Sequence, residues 1–363
     1  MDALKTADRI VHPAFGLGSV VSDEAKGMVE VVFDEGGNKK LLALKYAHLR
    51  KVDVDEELEI VQSQAASLKE TFSFETEDNH SPGSHWSPFY EDPKEEVVKR
   101  LPEWLQGAGV ALGLSSFETY RAPPLPGDWA KGFKLRWPET EDSIHFVLKQ
   151  GDSANMLTTW FPVIARGTQE SLEIRKVHVW ESGVEAQIEA SIGAASIRFF
   201  DTDFVINAGW YRAGAKAEFI LAGLAYQCEP ANEPDIVVDD HWPVTQFLRQ
   251  SAIERGENPG EAPRTISYKG AAILLPIDEW DRDDYQFRGT ILEVRPYVML
   301  DVEAWLLTVC VMRCLDDNDR ELHLNILVTR RVWSQLVGPA VGDDVRGALW
   351  LQGRLWSPPS RSS

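Results

Sequence analysis

The chain has 363 residues, with 37 Lys and Arg against 57 Asp and Glu, which gives a formal net charge of −20. That balance excludes a non-specific clamp on nucleic acid, because the average field of the protein repels phosphates. The sequence has no apolar signal-peptide region and no apolar run of the roughly 18 residues that a membrane-spanning helix requires. Its three cysteines are too few for a disulfide framework. We therefore expect a cytoplasmic protein that binds no membrane.

The charge is distributed unevenly along the chain. Residues 1–52 carry 8 basic and 7 acidic side chains, which leaves 29 basic and 50 acidic side chains for the remainder. A basic or neutral protein partner therefore suits the larger part of the chain better than a nucleic acid does. A nucleic acid would need a local basic groove, which is compatible with the acidic average because exposed charges are screened beyond about 8–10 Å.

The segment 9–52 has the most specific pattern. Its apolar runs at 19–21, 29–33 and 40–44 are separated by glycine turns, and the second run alternates with a period of two, as a half-buried strand does. The tripeptide Gly-Gly-Asn at 36–38 is a hairpin signal, because those residues adopt positive φ at low cost. The pattern predicts a small, strongly bent barrel of about five short strands.

The same segment resembles the Tudor-like C-terminal domain of UvrD/PcrA-type helicases. The order is Val-His-Pro-x-Phe-Gly-x-Gly-x-Val, then Val-x-Val-x-Phe-Asp-x-Gly, then Lys-x-Leu and Ala-x-Leu. The matching residues are Val11, His12, Pro13, Phe15, Gly16, Gly18, Val20, Val29, Val31, Phe33, Asp34, Gly36, Lys40, Leu42, Ala47 and Leu49. The resemblance implies an SH3/Tudor-like barrel that docks on RNA polymerase, with His12 and Phe15 as candidate binding residues. No helicase motif accompanies it, so helicase activity is not implied.

The segment that follows the barrel predicts a helix and then an extended linker. Apolar residues recur at helical spacing over 53–70, with acidic residues at the amino end that complement the helix dipole. Residues 71–93 are polar and contain prolines, which is typical of a linker. The aromatic residues 86–90 leave an alternative, an arm that docks on a neighbouring domain. A second helix is predicted over 95–107.

The rest of the chain predicts two β-rich regions of similar plan. Each has a set of strands, a short helix, a glycine turn and one long apolar strand, an order that resembles the OB fold. The short helices are predicted over 203–208, where a bend is the alternative, and over 330–336. A helix is also predicted over 243–255. The sequence therefore predicts a mainly β protein, with an SH3/Tudor-like barrel at 1–52, a helix and extended linker at 53–94, OB-like barrel domains at 95–232 and 265–357, an acidic, helical connector at 233–264 and a disordered tail at 358–363.

One basic and aromatic stretch is a candidate for binding single-stranded nucleic acid. Aromatic rings can stack on bases while cations neutralise phosphates, and the candidate residues are Trp129, Lys131, Lys134, Arg136 and Trp137. The alternative is an ordinary strand with its aromatic residues inward and its cations outward. We expect the acidic loop 278–284 to be solvated, because it lacks the glycine and closing Glu of an EF-hand, and we expect Cys310 and Cys314 to act as small buried apolar residues.

The leading hypothesis is a non-catalytic adaptor that docks through its N-terminal barrel on RNA polymerase or a helicase complex. No catalytic residue, metal or cofactor is predicted, since the chain lacks the common phosphate-loop, nucleophile and zinc motifs. The alternatives are single-strand binding by OB-like faces, an acidic mimic of DNA, and a metal-dependent hydrolase that uses the acidic loop 278–284. A deep cleft of clustered ionisable side chains in the acidic part would argue against the adaptor.

Overall fold

The computed structural model describes residues 4–12, 16–34, 39–74, 84–111, 125, 129–140, 142–232, 236–237, 243–256, 258, 265–313 and 320–357. Phe15, Cys314 and the predicted tail 358–363 lie outside these residues. Strands make up 52% of the structure and helices 18%, which confirms the mainly β prediction. None of the described helices has the length and apolar character needed to cross a membrane.

The N-terminal part is a five-stranded antiparallel sheet with the strand order β4-β3-β2-β1-β5. Its strands are β1 (Arg9–His12), β2 (Gly16–Ala25), β3 (Met28–Phe33), β4 (Lys39–Ala43) and β5 (Arg50–Lys51), and the short helix α1 (Leu44–Ala47) joins the last two. Ile10, Val29 and Val31 are fully buried in its separate core. A Cβ at Gly18 would come within 2.9 Å of the Val31 side chain, so glycine allows this close packing.

Helix α2 (Val54–Thr71) leads from this sheet into the main body. Its amino end is capped by Asp53, whose carboxylate accepts from the backbone N–H of Glu56 at 2.9 Å, as the acidic start of the predicted helix requires. Arg9 in β1 donates from Nε to Glu57 at 2.8 Å and ties the helix to the sheet. The chain then continues in strand β6 (Phe72–Phe74), which pairs in parallel with a strand of the large sheet.

A four-stranded antiparallel sheet lies beside an aromatic cluster. Its order is β10-β9-β8-β7, and the elements are α3 (Pro93–Gln106), β7 (Gly109–Val110), β8 (Gly132–Trp137), β9 (Ser143–Gln150) and β10 (Asn155–Val163). Trp86, Phe89 and Tyr90 are buried here, and Trp86 stacks on Trp104 of α3 with 5.7 Å between ring centroids. This part of the predicted linker is therefore the docked aromatic arm that the sequence analysis held as an alternative.

The largest element is a ten-stranded mixed sheet. With β6 it contains β11 (Thr168–Val179), β12 (Ala186–Ile192), β13 (Ala195–Asp201), β14 (Lys216–Pro230), β17 (Ile273–Pro276), β18 (Asp284–Met299), β19 (Val302–Met312), β20 (Leu322–Thr329) and β21 (Asp344–Ser357). Helix α4 (Phe204–Asn207) follows β13, and β15 (Ile236–Val237), helix α5 (Pro243–Glu254) and β16 (Thr265–Ile266) lie between β14 and β17.

The strands of this sheet close into two rings that share β14 and β21. In the first ring the cyclic order is β11-β12-β13-β21-β14, and in the second ring it is β18-β19-β20-β14-β21. The shared strands pair antiparallel from Glu218 opposite Ser357 to Pro230 opposite Val345. The segments 95–232 and 265–357 are therefore joined in this sheet, while the first segment also forms the four-stranded sheet by itself.

The helices agree with the sequence predictions except at two places. Helices α2, α3, α4 and α5 occur where they are predicted, whereas α1 is not predicted and residues 330–336 form turns and bends with an isolated bridge at Trp333. The backbone there pairs with β14 instead: the N–H of Ser334 donates to the carbonyl of Cys228 at 3.2 Å, whereas in a helix it would bond the carbonyl of Arg330. The Gln335 carbonyl accepts from Arg330 Nη1 at 2.7 Å, and Trp333 Nε1 donates to the carbonyl of Val337 at 2.6 Å.

Candidate functional site

One edge of the N-terminal sheet is exposed. Strand β4 is the last strand in the sheet order, and it presents Leu41, which is 63% exposed. In the adjoining helix α1, Tyr46 is 73% exposed, and Lys45 Nζ lies 5.5 Å from the centroid of its ring. An edge strand offers backbone N–H and C=O groups for pairing with another chain. We call residues 39–46 the β4 edge.

The β4 edge is locally basic. Residues 39–46 include three lysines and no Asp or Glu, in a protein whose net charge is −20. Lys39 pairs with Glu30 of the neighbouring strand β3 at 2.7 Å, and its side chain is 55% exposed. Exposed ion pairs of this kind contribute at most about 1 kcal/mol, so an incoming acidic group can compete with them.

Of the two binding residues predicted in the N-terminal segment, His12 and Phe15, the structure describes His12. His12 packs edge-to-face on Phe33, with 5.8 Å between ring centroids and 76° between planes. That contact agrees with a packing role, because Phe33 belongs to the core of the sheet. Phe15 lies outside the described residues.

The predicted basic and aromatic stretch turns its aromatic rings towards the interior. Trp129 packs against Phe72 and Phe74 with centroid distances of 4.9 and 5.2 Å. Trp137 stacks on Trp104 at 5.8 Å. Lys131 is exposed and Arg136 is half-buried. These five side chains therefore do not form a platform on which bases could stack.

Lys134 corrects the expectation that the cations of this strand point outward. Its side chain is fully buried and forms an ion pair with Asp203, which is also fully buried. Both faces of β8 are covered, because helix α4 packs against the face that carries Lys134. Loss of hydration lowers the pKa of Lys134, and burial raises the pKa of the neighbouring Asp201 to about 7, with the Tyr211 hydroxyl donating to Asp201 at 2.5 Å. Lys134 belongs to a structural network and does not face a phosphate.

The acidic loop 278–284 ends in a cleft of the main body. Asp281, Asp283 and Asp284 place carboxylate oxygens within 4.8 Å of one another. The adjoining cavity has a volume of about 630 Å³, and its walls include Ser87, Tyr226, Gln227, Glu279, Trp280, Asp281 and Asp284. The expectation of a fully solvated loop is wrong for Asp283 and Asp284, which are 1% and 6% exposed.

Protein donors hold the two buried carboxyl groups. Asp283 accepts from Gln187 Nε2 at 2.9 Å and from Trp350 Nε1 at 3.0 Å. Asp284 accepts from the Tyr226 hydroxyl at 2.8 Å, and His85 Nδ1 lies 2.7 Å from the same hydroxyl. Burial raises the pKa of Asp284 to about 7 and that of Asp283 well above its ordinary value. At neutral pH, Asp284 can therefore both hold and release a proton beside the cavity.

A signal for the burial of Asp283 is present in the sequence. Asp283 has the same parity as Tyr285 and Phe287, two apolar residues that are buried in strand β18. Extending the period of two by one step before the strand places Asp283 on the buried face. The partners of Asp283 come from β12 and β21, distant strands that local periodicity does not identify.

Comparison of the chain with protein-family models, with curated proteins and with solved structures gives no match. Two features of the described residues bear on the function of the protein. One is the exposed, basic β4 edge of the N-terminal sheet. The other is the acidic cleft beside β18.

Proposed function

We propose that this protein is a non-catalytic adaptor that docks through its N-terminal sheet on a protein of a nucleic-acid-processing machine. The observation that carries the proposal is the β4 edge, where exposed Leu41 and Tyr46 lie among three lysines without an acidic residue. The resemblance of residues 9–52 to the Tudor-like domain of UvrD/PcrA-type helicases makes RNA polymerase or a helicase complex the expected class of partner. The SH3/Tudor-like description of this sheet is part of the proposal.

The chemistry of the β4 edge suits an extended, acidic segment of the partner protein. Such a segment can add a strand to β4 through backbone hydrogen bonds. Leu41 and Tyr46 supply the apolar contacts that anchor interfaces, and Tyr is among the residue types enriched at their centres. The local positive charge selects an acidic segment and speeds its encounter, because complementary fields steer association.

For the main body we propose two OB-like barrels that share strands. Each ring begins with a meander of three strands, and its third strand pairs in parallel with the long strand contributed by the other segment, as in β13–β21 and β20–β14. This cyclic order supports the OB-like description. OB-like barrels bind proteins, saccharides and single strands, so the fold leaves the ligand of the main body open. The burial of Lys134 weakens the case for single-stranded nucleic acid.

The test is binding of the full chain to purified RNA polymerase, measured with Leu41→Asp and with a matched control. Val98 in α3 is 62% exposed and Leu41 is 63% exposed, so Val98→Asp introduces the same charge at equal exposure away from the β4 edge. We expect Leu41→Asp to weaken binding at least about tenfold, because it adds like charge to an acidic partner and removes an apolar anchor. Val98→Asp should bind like the wild type.

Two outcomes would contradict the adaptor. One is the absence of binding to purified RNA polymerase and to a purified UvrD/PcrA-type helicase. The other is equal binding by the wild type and Leu41→Asp. A labelled single-stranded oligonucleotide, tested at low and moderate salt, separates the nucleic-acid alternative. Salt-dependent binding that Leu41→Asp leaves unchanged would favour that alternative over the adaptor.

The acidic cleft supports a second candidate function, metal-dependent hydrolysis. Its specific observation is the position of Asp284, which lines the cavity of about 630 Å³ and whose pKa burial raises to about 7. A cleft of this kind argues against a purely non-catalytic protein. The adaptor is still favoured, because both carboxylate oxygens of Asp283 already accept hydrogen bonds, from Gln187 and Trp350, which compete with a metal ion. Turnover of bis(p-nitrophenyl) phosphate with Mg²⁺ or Mn²⁺ that Asp284→Asn abolishes and Asp278→Asn preserves would support hydrolysis, and no turnover by the wild type would reject it for this substrate.

A further inference from the structure

The hairpin of β19 and β20 brings three different metal-ligand side chains together. Cys310 in β19 stands directly opposite His323 in β20, and Glu321 immediately precedes β20. The Cys310 sulfur, a Glu321 carboxylate oxygen and a His323 ring nitrogen all lie within 4.8 Å of one another. The cluster therefore combines a sulfur, a nitrogen and an oxygen ligand on adjacent strands, whereas a surface cluster of acidic residues offers oxygen ligands alone.

The hairpin geometry holds these ligands in place. Side chains of directly opposed residues in an antiparallel pair have Cβ atoms about 4.5–5.5 Å apart, a separation that lets two ligands reach one ion. The register shift between Cys310 and Met312 lies beside the site. Cys310 is buried at its floor, while the His323 and Glu321 side chains are 40% and 38% exposed, so an ion can enter from the solvent. Nε2 of His323 is already 2.9 Å from the Glu321 carboxylate.

We propose that Cys310, Glu321 and His323 form a binding site for a divalent late first-row metal ion, with Zn²⁺ as the expected occupant. Thiolate, imidazole and carboxylate are the three side-chain ligand types of Zn²⁺, and a thiolate discriminates against Mg²⁺ and Ca²⁺. Binding forms the metal–sulfur bond and releases the thiol proton to the solvent. Three protein ligands leave the fourth tetrahedral position for water or another ligand.

Arg313 is the internal competitor for this site. Its Nε lies 3.5 Å from the Cys310 sulfur and 3.0 Å from a Glu321 oxygen, so a guanidinium provides the positive charge that a metal ion would provide. The Arg313 side chain is 44% exposed and can turn into the solvent when an ion binds. Removal of the Arg313 side chain should therefore strengthen metal binding.

The first ring offers a matched control. In the β11–β12 hairpin, His178 Nε2 is 3.0 Å from Glu189, and Arg198 also pairs with Glu189 at 3.0 Å. This trio repeats the His, Glu and Arg of the β19–β20 site without a cysteine close enough to complete a cluster among the described residues. His178→Gln therefore removes an equivalent histidine from a place where no metal site is proposed.

The experiment is a titration of the full chain with Co²⁺ and then Zn²⁺, after treatment with a chelator under reducing conditions. Co²⁺ bound to a thiolate gives a sulfur-to-metal charge-transfer band. The wild type should bind one ion per chain with this band. Cys310→Ala should lack the band, and His323→Gln and Glu321→Gln should weaken binding at least about tenfold. Arg313→Ala should bind the ion more tightly than the wild type. His178→Gln should match the wild type.

Folding of each variant is checked by circular dichroism, and the exposed positions of His323 and Glu321 keep the test valid even if Cys310→Ala does not fold. A band that is absent from the wild type would overturn the proposal. So would a band that persists in Cys310→Ala, or metal affinity that is unchanged in both His323→Gln and Glu321→Gln. A band that persists in Cys310→Ala would come from the thiolate of another cysteine, because the carboxylates of the acidic cleft cannot produce it. Affinity that is unchanged in both His323→Gln and Glu321→Gln would show that neither side chain is a ligand.

Discussion

His85 stacks on Trp350 with 3.8 Å between the ring centroids and 14° between the ring planes. His85 precedes α3 in a stretch with the composition of a linker, whereas Trp350 lies in β21, which both rings share. The Tyr226 hydroxyl, 2.7 Å from His85 Nδ1, provides a second contact. The aromatic arm is therefore fastened over the junction of the two rings, beside the acidic cleft, and is part of the core of the protein.

The first prediction concerns Trp86, the residue after His85. Trp86 is 1% exposed and stacks on Trp104 and Tyr90 with centroid distances of 5.7 and 6.3 Å. Trp86→Ala should lower the free energy of unfolding by about 3–5 kcal/mol, measured by urea denaturation, because it removes buried surface and leaves a cavity. Trp280→Ala is the control, since Trp280 is 48% exposed, and it should cost less than about 1 kcal/mol. Equal small losses in both variants would show that the arm is not part of the core.

The second prediction concerns the buried pair of Lys134 and Asp203. Lys134→Met leaves the Asp203 carboxylate buried without its cation, so it should destabilise the protein by about 3–5 kcal/mol. The double variant with Asp203→Asn should recover part of that loss, because the remaining side chain is neutral. Lys131→Met, at an exposed position of the same segment, should have little effect. A double variant as unstable as Lys134→Met alone would mean that the cost does not come from the unpaired charge.

Local chemistry was sufficient to predict helices α2, α3 and α5 and the five short strands of the N-terminal sheet. Helix α2 begins where Asp53 caps it and is followed by three acidic residues in its first turn, and helix α5 carries a spaced apolar set. In the N-terminal sheet, the alternation of 29–33 corresponds to strand β3, whose odd-numbered residues are buried. These features depend on residues a few positions apart, which a sequence displays directly.

The sharing of strands could not be predicted in the same way. The parallel pairing of Ala222 with Asn325 in β14–β20 joins residues about a hundred positions apart, and no local period encodes such a contact. Lys134 was misjudged because a strand covered on both faces has no solvent side to which a cation must point. The Cys310 cluster was missed because its ligands meet through the register of a hairpin, whereas the sequence spacing alone favoured an apolar role.

The third prediction follows from the shared strands. One core cluster includes Ile188 of the first ring and Leu307 of the second ring, together with Leu221 and Leu349 of the shared strands. Ile188→Ala and Leu307→Ala should therefore each lower the free energy of unfolding by about 2–5 kcal/mol, and in both variants the protein should still unfold in one cooperative transition. Calorimetry can follow the transition, with Leu275→Ala at an exposed position of β17 as the control. Two transitions that shift independently would show that the rings unfold as separate units.

The fourth prediction concerns the pH dependence that arises from Asp284. Burial raises its pKa to about 7 from an ordinary value of 3.8. Between these values the folded protein keeps a proton that the unfolded chain has released, so Asp284 makes the free energy of unfolding fall as the pH rises from about 4 to 7. Above pH 7 its effect is constant. Asp284→Asn removes this dependence, and the change across the window should differ between wild type and variant by at most about 4 kcal/mol.

Urea denaturation at pH 4, 5, 6 and 7 measures this difference. Glu189 acts in the opposite sense: burial opposes its ionisation, but hydrogen bonds from His178 and Arg198 outweigh burial and lower its pKa, so Glu189 makes the free energy of unfolding rise with pH. Because Glu189 is present in both proteins, its contribution cancels in the difference between the two curves. That difference reports Asp284 together with the change that its charge causes in the pKa of the neighbouring Asp283. Asp278→Asn, at an exposed position of the same loop, should follow the wild-type curve. If the Asp284→Asn curve is parallel to that of the wild type, Asp284 does not titrate in this window, and the proton-holding role at the acidic cleft fails with it.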